Sequence, residues 1–437
     1  MQPEQIIPGV ANYYATAIAD GFDYASVLVK TREGRPIKIE NNPAAGRHGS
    51  ANARVHASVL SMYDTQRLQG PKANQADVSW EDFITQVEAN LKALAMAQQP
   101  VVLLTHTLAS PTTKKIIADF VAKFPNVTPI TYDSVSSNAA LTAFENVYGQ
   151  RALAGYDFSK AKTIVSIGAD FLGDWQGGGY DSDYTKGRVP HGHHGKAEMS
   201  HHIQFEANMS LTGANADHRV PVGAAMQKNV LAHLYAELTN TPVSGQLPAD
   251  VATAVSKAVA RLRAAGDAAL VVTGLEDVAA QELVLAINAT LKSTAFMPQQ
   301  PKFTRHGNTA EVNKAIDDII AGTVNGLITF GVNPVYSHAK GAALAAALPK
   351  LGLSVAFAMK EDETASLAKF VAATPHYLES WGDYEFTAGE YVLAQPTIRP
   401  LFDNKQFQDV LLQLTGSTAS YYETIKSNWA ATVLEGA

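Results

Sequence analysis

Short, wholly apolar segments recurring between amphipathic stretches constrain this chain more than any other feature. PVVLLT (residues 100–105), KTIVSIG (162–168), AALVVTG (268–274), GLITFG (326–331) and SVAFAM (354–359) are the clearest, and residues 127–132 add a sixth. Strands apolar on both sides must be covered on both sides, which is the situation of a parallel sheet. The intervening stretches carry helix signals. Ser110 stands as an N-cap before Pro111, with a helix predicted to residue 123; another follows residue 274 through Leu291, and a third spans 339–351. The alternation predicts α/β architecture with helices on both faces of parallel sheets. Open sheets of this kind bind ligands at the carboxyl ends of their strands, where Gly168, Gly274 and Gly331 stand here.

The amino-terminal stretch reads differently. Residues 24–30 (YASVLVK) and 36–40 (PIKIE) flank Glu33-Gly34-Arg35, so a hairpin is predicted. Residues 51–68 read as helix or turn. Ser79 caps a helix opened by Trp80-Glu81-Asp82 and running to about Ala97. Three segments follow along the chain: 1–98, a small N-terminal β/α segment; 99–240, a first α/β unit; and 241–437, a second. The two units read as a degenerate duplication, because Ile167-Gly168-Ala169-Asp170 answers to Phe330-Gly331-Val332-Asn333-Pro334.

Composition removes several functions. With no cysteine among 437 residues, the chain has no disulfide, no thiolate nucleophile and no thiolate to hold zinc or an iron–sulfur cluster. A formal net charge of -7 without a basic run argues against nucleic acid as a partner. No apolar run approaches the ~20 residues of a membrane helix. The start, Met-Gln-Pro-Glu-Gln, lacks the pattern of a signal peptide.

Five motifs in this order resemble the molybdopterin oxidoreductase superfamily. They are Gly34-Arg35-Pro36-Ile37-Lys38-Ile39-Glu40-Asn41-Asn42-Pro43, Tyr63-Asp64-Thr65-Gln66-Arg67-Leu68, Val78-Ser79-Trp80-Glu81-Asp82, Gly331-Val332-Asn333-Pro334 and Glu363-Thr364-Ala365. A narrower set resembles the B subunit of alternative complex III, a quinol-oxidising respiratory complex: residues 53–60 (ARVHASVL), 199–209 (MSHHIQFEANM), 378–383 (LESWGD) and 395–402 (QPTIRPLF). The resemblance implies a degenerate molybdopterin-oxidoreductase fold, with two Rossmann-like parallel-sheet units related by a pseudo-twofold and a vestigial cluster domain at the start.

The same resemblance locates candidate sites. The fourth cluster ligand falls at about Asn52 with a basic residue behind it at Arg54, and asparagine does not offer the soft sulfur that iron wants there. The molybdenum-ligand position falls at Ser136, Ser137 and Asn138, and a serine can in principle ligate a metal. The loops that touch the pterin in relatives correspond to Gly331 and Asn333. These positions are expected to be vestigial, with no cofactor in this chain, although relatives bind molybdopterin guanine dinucleotide. Iron–sulfur clusters are expected in a downstream domain, the end of this sequence lying near that junction.

Three constellations lie outside the motifs. His191, His193, His194, His201 and His202 offer imidazoles, which suit zinc, copper or iron. They sit in or beside a Gly-rich stretch with no carboxylate at ligand spacing, Glu198 being the nearest, so a solvated or partner-facing loop is the preferred reading. The stretch 177–190 is polar and reads as a surface insertion rather than a phosphate cradle. The aromatics of residues 177–202, with Trp175 at the entrance, and those of residues 377–395 are expected at partner or domain interfaces, with packing on the chain's own sheets as the alternative. Glu379, Asp383, Asp362 and Glu363 offer carboxylates for acid–base work, but turn and capping roles fit Asp362 and Glu363 better.

The functional expectation is therefore a non-catalytic assembly module of a respiratory quinol-oxidising complex. Its partners would be a cluster-bearing domain, a haem c subunit and an integral membrane quinol-binding subunit, at the periplasmic face of the bacterial inner membrane. An active molybdopterin-dependent oxidoreductase subunit is the alternative, and an ordinary nucleotide-binding α/β enzyme a third.

Overall fold

The computed structural model describes residues 7–190 and 198–434. The chain forms two compact units. One comprises residues 1–136, 306–386 and 390–437, and the other residues 137–305 and 387–389.

The first unit is built on a seven-stranded sheet in the order Ala76–Asp77, Lys72–Ala73, Phe370–Ala373, Leu353–Ala358, Gly326–Phe330, Val101–Thr105, Val127–Thr131. The last five strands are mutually parallel, and the short hairpin at the start joins antiparallel. The apolar run at 101–104 shows why both faces are covered. Val101 and Leu103 pack with Phe83, Leu91, Phe120 and Phe407 on one side. Val102 and Leu104 pack with Ile316, Ile319 and Leu344 on the other. Successive side chains of a strand point to opposite faces, so a strand apolar at every position is what two helix layers require. The expected caps hold the helices: Ser79 accepts from Asp82 N at the head of Trp80–Met96, and Ser110 from Thr113 N at the head of Pro111–Lys123.

The hairpin of residues 24–40 is present, but it belongs to a three-stranded antiparallel sheet, Ala11–Ala19, Tyr24–Arg32 and Arg35–Asn41. Glu33 and Gly34 take φ of 50° and 76°, the pair of left-handed residues that a two-residue hairpin turn needs. The stretch 51–68 contains two short helices, Ala53–Ala57 and Val59–Met62.

The second unit carries a four-stranded parallel sheet in the order His218–Pro221, His201–Glu206, Thr163–Ile167, Ala269–Thr273. Val165, Ile167 and Val271 meet the helices Ala224–Thr239, Ala249–Ala265 and Val278–Thr290. Ile164, Leu270 and Val272 meet an aromatic layer that includes Phe158, Phe171, Tyr180 and Tyr184. The stretch 177–190 is not the irregular surface insertion expected. Asp181–Arg188 is a helix, and Tyr180 and Tyr184 are buried in this unit's own core. Burying two large rings supplies the apolar contact that its polar composition hides.

Both units are thus parallel α/β units, as the alternation implies. Their composition along the chain is interleaved: segment 99–240 gives strands 101–105 and 127–131 to one sheet and 163–167, 201–206 and 218–221 to the other. Segment 241–437 is divided in the same way. Spatial units therefore do not follow the boundaries at 98/99 and 240/241.

Candidate functional site

In the first unit the strands Val101–Thr105, Gly326–Phe330 and Leu353–Ala358 end at one edge of the sheet. After Phe330 the chain must turn sharply, and Gly331 does so at φ +66°, where a side chain would be strained and would also collide with the His106 ring. Asn333 then caps Pro334–Ser337 through its side chain. Its amide nitrogen donates to Glu363 Oε2 at 2.6 Å, and its oxygen accepts from Thr364 Oγ1 at 2.7 Å. The Gly-x-Asn-Pro and Glu-Thr-Ala motifs, some thirty residues apart, are locked together by these bonds. The bond from Asn333 holds the Glu363 carboxyl below its usual range. Asp362 caps the following turn, accepting from Thr364 N and Ala365 N, while burial pushes its carboxyl up.

This edge carries a cleft of about 460 Å³ walled by Phe330, Phe357, Trp381, Tyr384 and Phe407, with Lys360 and Asn333 also in its lining. Phe330 and Phe407 stack at 4.3 Å between ring centroids. A second cavity of about 300 Å³ also has His106, Gly331 and Asn333 in its wall. His106 Nδ1 lies 2.9 Å from the Thr107 carbonyl, which fixes Nδ1 as the donor. Thr107 is itself anchored by Asp133, whose carboxylate accepts from Thr107 N and Oγ1 and from His306 N and Gly307 N.

Asn52 and Arg54 come together, at a residue that sequence reasoning missed. Asp23, 3% exposed, accepts from Asn52 Nδ2 at 2.6 Å and from Arg54 Nε and Nη2 at 2.8 Å each. The Asn52 oxygen caps the helix Ala53–Ala57. The guanidinium also lies over the Phe22 ring at 4.5 Å. Ser136 lines a small pocket of about 100 Å³ with Asp133 and Asn308, whereas Ser137 stands in the other unit, before the helix Asn138–Tyr148.

His191, His193 and His194 lie outside the described residues. His201 and His202 open a strand of the second unit. His202 is wholly buried, 3.3 Å from Tyr184 OH and 3.1 Å from Gln204 Oε1, and burial lowers its pKa to about 4. Among the described residues no cluster of three or more His, Asp or Glu is placed to hold a metal.

The remaining carboxylates have structural partners. Glu379 pairs with Arg67, both side chains fully buried. Asp383 accepts from Ser110 Oγ, Thr112 Oγ1 and Trp429 Nε1. Phe386 is buried and Trp381 packs on the core, so this stretch follows the alternative of packing on its own unit, with Tyr391 left 41% exposed. His106, Asp133 and Asp23 carry no signal in the sequence, because each is a lone residue that matters only through the strand ends meeting there.

No family model matches the chain. It is 24% identical over 465 residues to the menaquinone reductase, molybdopterin-binding-like subunit of Nitratidesulfovibrio vulgaris, covering 93% of this chain and 66% of the relative. It is 26% identical over 179 residues to the arsenate respiratory reductase molybdopterin-containing subunit ArrA of a Shewanella species, covering 37% of this chain and 21% of that one. The chain thus spans just under two thirds of the first relative's length and about a fifth of the second's. Among solved structures, acetylene hydratase from Pelobacter acetylenicus superposes with a TM-score of 0.65 over 94% of this chain and 70% of its own, at 12% identity. The fold is that of the molybdopterin oxidoreductases. The sequence relatives and the fold together support the molybdopterin oxidoreductase superfamily, as the five motifs imply. One expectation is overturned. A chain without any cofactor does not agree with relatives that are a molybdopterin-binding-like and a molybdopterin-containing subunit.

Proposed function

We propose that this chain is a molybdopterin-type reductase subunit of a membrane-associated respiratory complex, and that the larger cleft of its first unit holds the pterin. The relatives' names favour this cofactor-bearing alternative over a cofactor-free assembly module. The observation that carries the reading is the cleft itself. It lies at the carboxyl edge of a parallel sheet, its volume is in the range of small-molecule sites, and its wall sets aromatic and apolar side chains beside many polar ones, among them His106, Asn333, Asp362 and His376.

The residues present fit a flat bicyclic ring. Gly331 brings backbone to the cleft without a side chain, Trp381 and Tyr384 line it with aromatic side chains, and Lys360, ion-paired with Asp64 at 2.7 Å, is also in its wall. When bound, the pterin supplies a metal-carrying redox centre that passes electrons. The chain's own contribution is to bind and orient that group and to keep water from its apolar face. Ser136 and Ser137 are the oxygen donors that the resemblance assigns to a metal; Ser136 lines the small pocket of about 100 Å³ and not this cleft.

Electron carriers and the quinol or quinone site belong, on this proposal, to partners. The resemblance to alternative complex III names them as a cluster-bearing domain, a haem c subunit and an integral membrane subunit at the periplasmic face. No helix among the described residues is long and apolar enough to cross a membrane. The test is to purify the chain with its partners from native membranes, oxidise it, and assay the extract for fluorescent pterin, with molybdenum and tungsten by mass spectrometry. About one pterin per chain is expected. Folded protein lacking pterin overturns the reading.

A further inference from the structure

The second cavity, about 300 Å³, has a chemistry unlike that of a site for oxyanions. Its wall includes the rings of Phe22, Tyr132 and Tyr336, the carboxylates of Asp20 and Asp133, and His106, and none of its lining residues is Lys or Arg. An oxyanion pocket needs cations or a cluster of donors that outweighs nearby negative charge. Here the lining residues carry the opposite balance, and the Arg54 guanidinium that lies over the Phe22 ring is paired with Asp23. Asp133 is 7% exposed and its carboxylate is taken up by four donors, which hold it in place and offset its charge. Asp20 sits in a turn where its Oδ1 accepts from Phe22 N and Asp23 N.

The aromatic groups are also placed. Tyr132 is held by its hydroxyl to Ser337 Oγ at 2.8 Å and by an edge contact with His338. Tyr336 is 77% exposed and its residue also lines the cavity. His106 stands between this cavity and the larger cleft. Side chains at Gly21 or Gly331 would collide with its ring, so both backbones close on one imidazole.

We infer that this cavity binds a flat aromatic ring without negative charge and turns oxyanions away. The inference rests on the proposed function only in taking the adjoining cleft for the cofactor, and it extends that reading to the class of molecule admitted beside it. The exposed ring of Tyr336 supplies the stacking face, Tyr132 being only 8% exposed, and the Asp20 carboxylate supplies the discrimination.

The probes are 1,4-naphthoquinone and its 2-sulfonate, a matched neutral and anionic pair, together with arsenate and nitrate. The chain has no cysteine, so thiol addition to the quinone does not confuse the reading. Binding to the purified protein is followed by ligand-observed NMR titration, and the pterin content of the same preparation is measured separately. The neutral ring is expected to bind at least tenfold tighter than the sulfonate, and the two oxyanions not at all. Tyr336→Ala, at an exposed position that does not threaten the fold, is expected to weaken the neutral ring about fivefold or more. Asp20→Asn is expected to narrow the gap between the pair. Equal or tighter binding of the sulfonate, saturable arsenate or nitrate binding that displaces the neutral ring, or a neutral ring indifferent to Tyr336→Ala overturns the inference. A preparation without pterin that still shows the neutral preference sinks the cofactor reading and leaves this one standing.

Discussion

Replacing Glu379 with glutamine tests how the first unit is held together beneath its cleft. Glu379 and Arg67 are joined by two bonds, Nη2 to Oε2 at 2.6 Å and Nη1 to Oε1 at 3.2 Å, with both side chains fully buried. The carboxylate also accepts from His376 N at 2.8 Å and Leu401 N at 3.0 Å, so it ties three segments together. Glutamine keeps the shape but turns an N–H toward donors and leaves the guanidinium without its counter-charge. Breaking a buried pair in this way costs about 3–5 kcal/mol. Replacing both partners by apolar residues is often neutral elsewhere. Here it would leave the His376 and Leu401 amides without acceptors, at about 1–3 kcal/mol each. The informative double variant is therefore Arg67→Met with Glu379→Gln, which removes the orphaned charge and keeps an amide oxygen for one backbone N–H. It should recover about 1 kcal/mol or more relative to Glu379→Gln alone, a coupling of the size that contacting residues show. A chain of two units need not unfold in one step, so hydrogen exchange of peptides covering residues 59–68 and 376–386 is the assay. A cost below about 1 kcal/mol for Glu379→Gln, or a double variant worse than the sum of the singles, refutes the argument.

Acid should loosen both units through histidines kept neutral. His376 and His202 are each held near pKa 4, chiefly by burial, against an ordinary 6.5. The unfolded chain binds more protons between those values, so stability is complete above about pH 6.5 and falls as pH drops toward 4. The loss is up to about 1.4 kcal/mol per pH unit per histidine, and urea midpoints at pH 7 and pH 5 measure it; no difference between them would contradict the burial argument. Asp23→Asn removes the counter-charge of Arg54, whose side chain is 45% exposed, so screening limits the cost to about 1–2 kcal/mol; thermal unfolding should show it. Asp383→Ala leaves Ser110, Thr112 and the Trp429 indole without their shared acceptor and should free the helix Tyr421–Thr432, read as faster tryptic cleavage after Lys426. Gly213→Ala drives a methyl into the Glu206 carboxylate, which Arg219, Ser210 and Gln204 hold on its other sides, and should cost about 1–3 kcal/mol in the second unit.

What the sequence discloses here is what is local. The strands at 101–105, 163–167, 269–273, 326–330 and 353–358 are legible because each is apolar at nearly every position, and the caps at Ser79 and Ser110 because a cap is a bond to a residue three places on. Their order is not legible. Gly326–Phe330 inserts between Val101–Thr105 and Leu353–Ala358, and nothing within any of the three runs says so. His202, Gln204 and Glu206 alternate as a solvent-facing row would, yet all three are buried, because they bond one another, Arg219 and Tyr184. At the candidate site the turn at Gly331 and Asn333 is legible as turn chemistry. The meeting of Phe22, His106, Tyr132 and Tyr336 is not, since they come from four separate stretches of chain.

The Asp23–Asn52–Arg54 group bears on how electrons would reach a pterin in the cleft. At the place where the resemblance sets a thiolate, Asn52 spends its oxygen on a helix cap and its nitrogen on Asp23, so neither end is left for a metal. Arg54 nevertheless keeps a negative partner, because Asp23 supplies the charge that a thiolate-bound cluster would otherwise present to a basic neighbour. The site is therefore electrostatically complete without a redox centre, and no soft ligand stands in the chain to build one. On the proposed function, reducing equivalents would not pass through a cluster at this position.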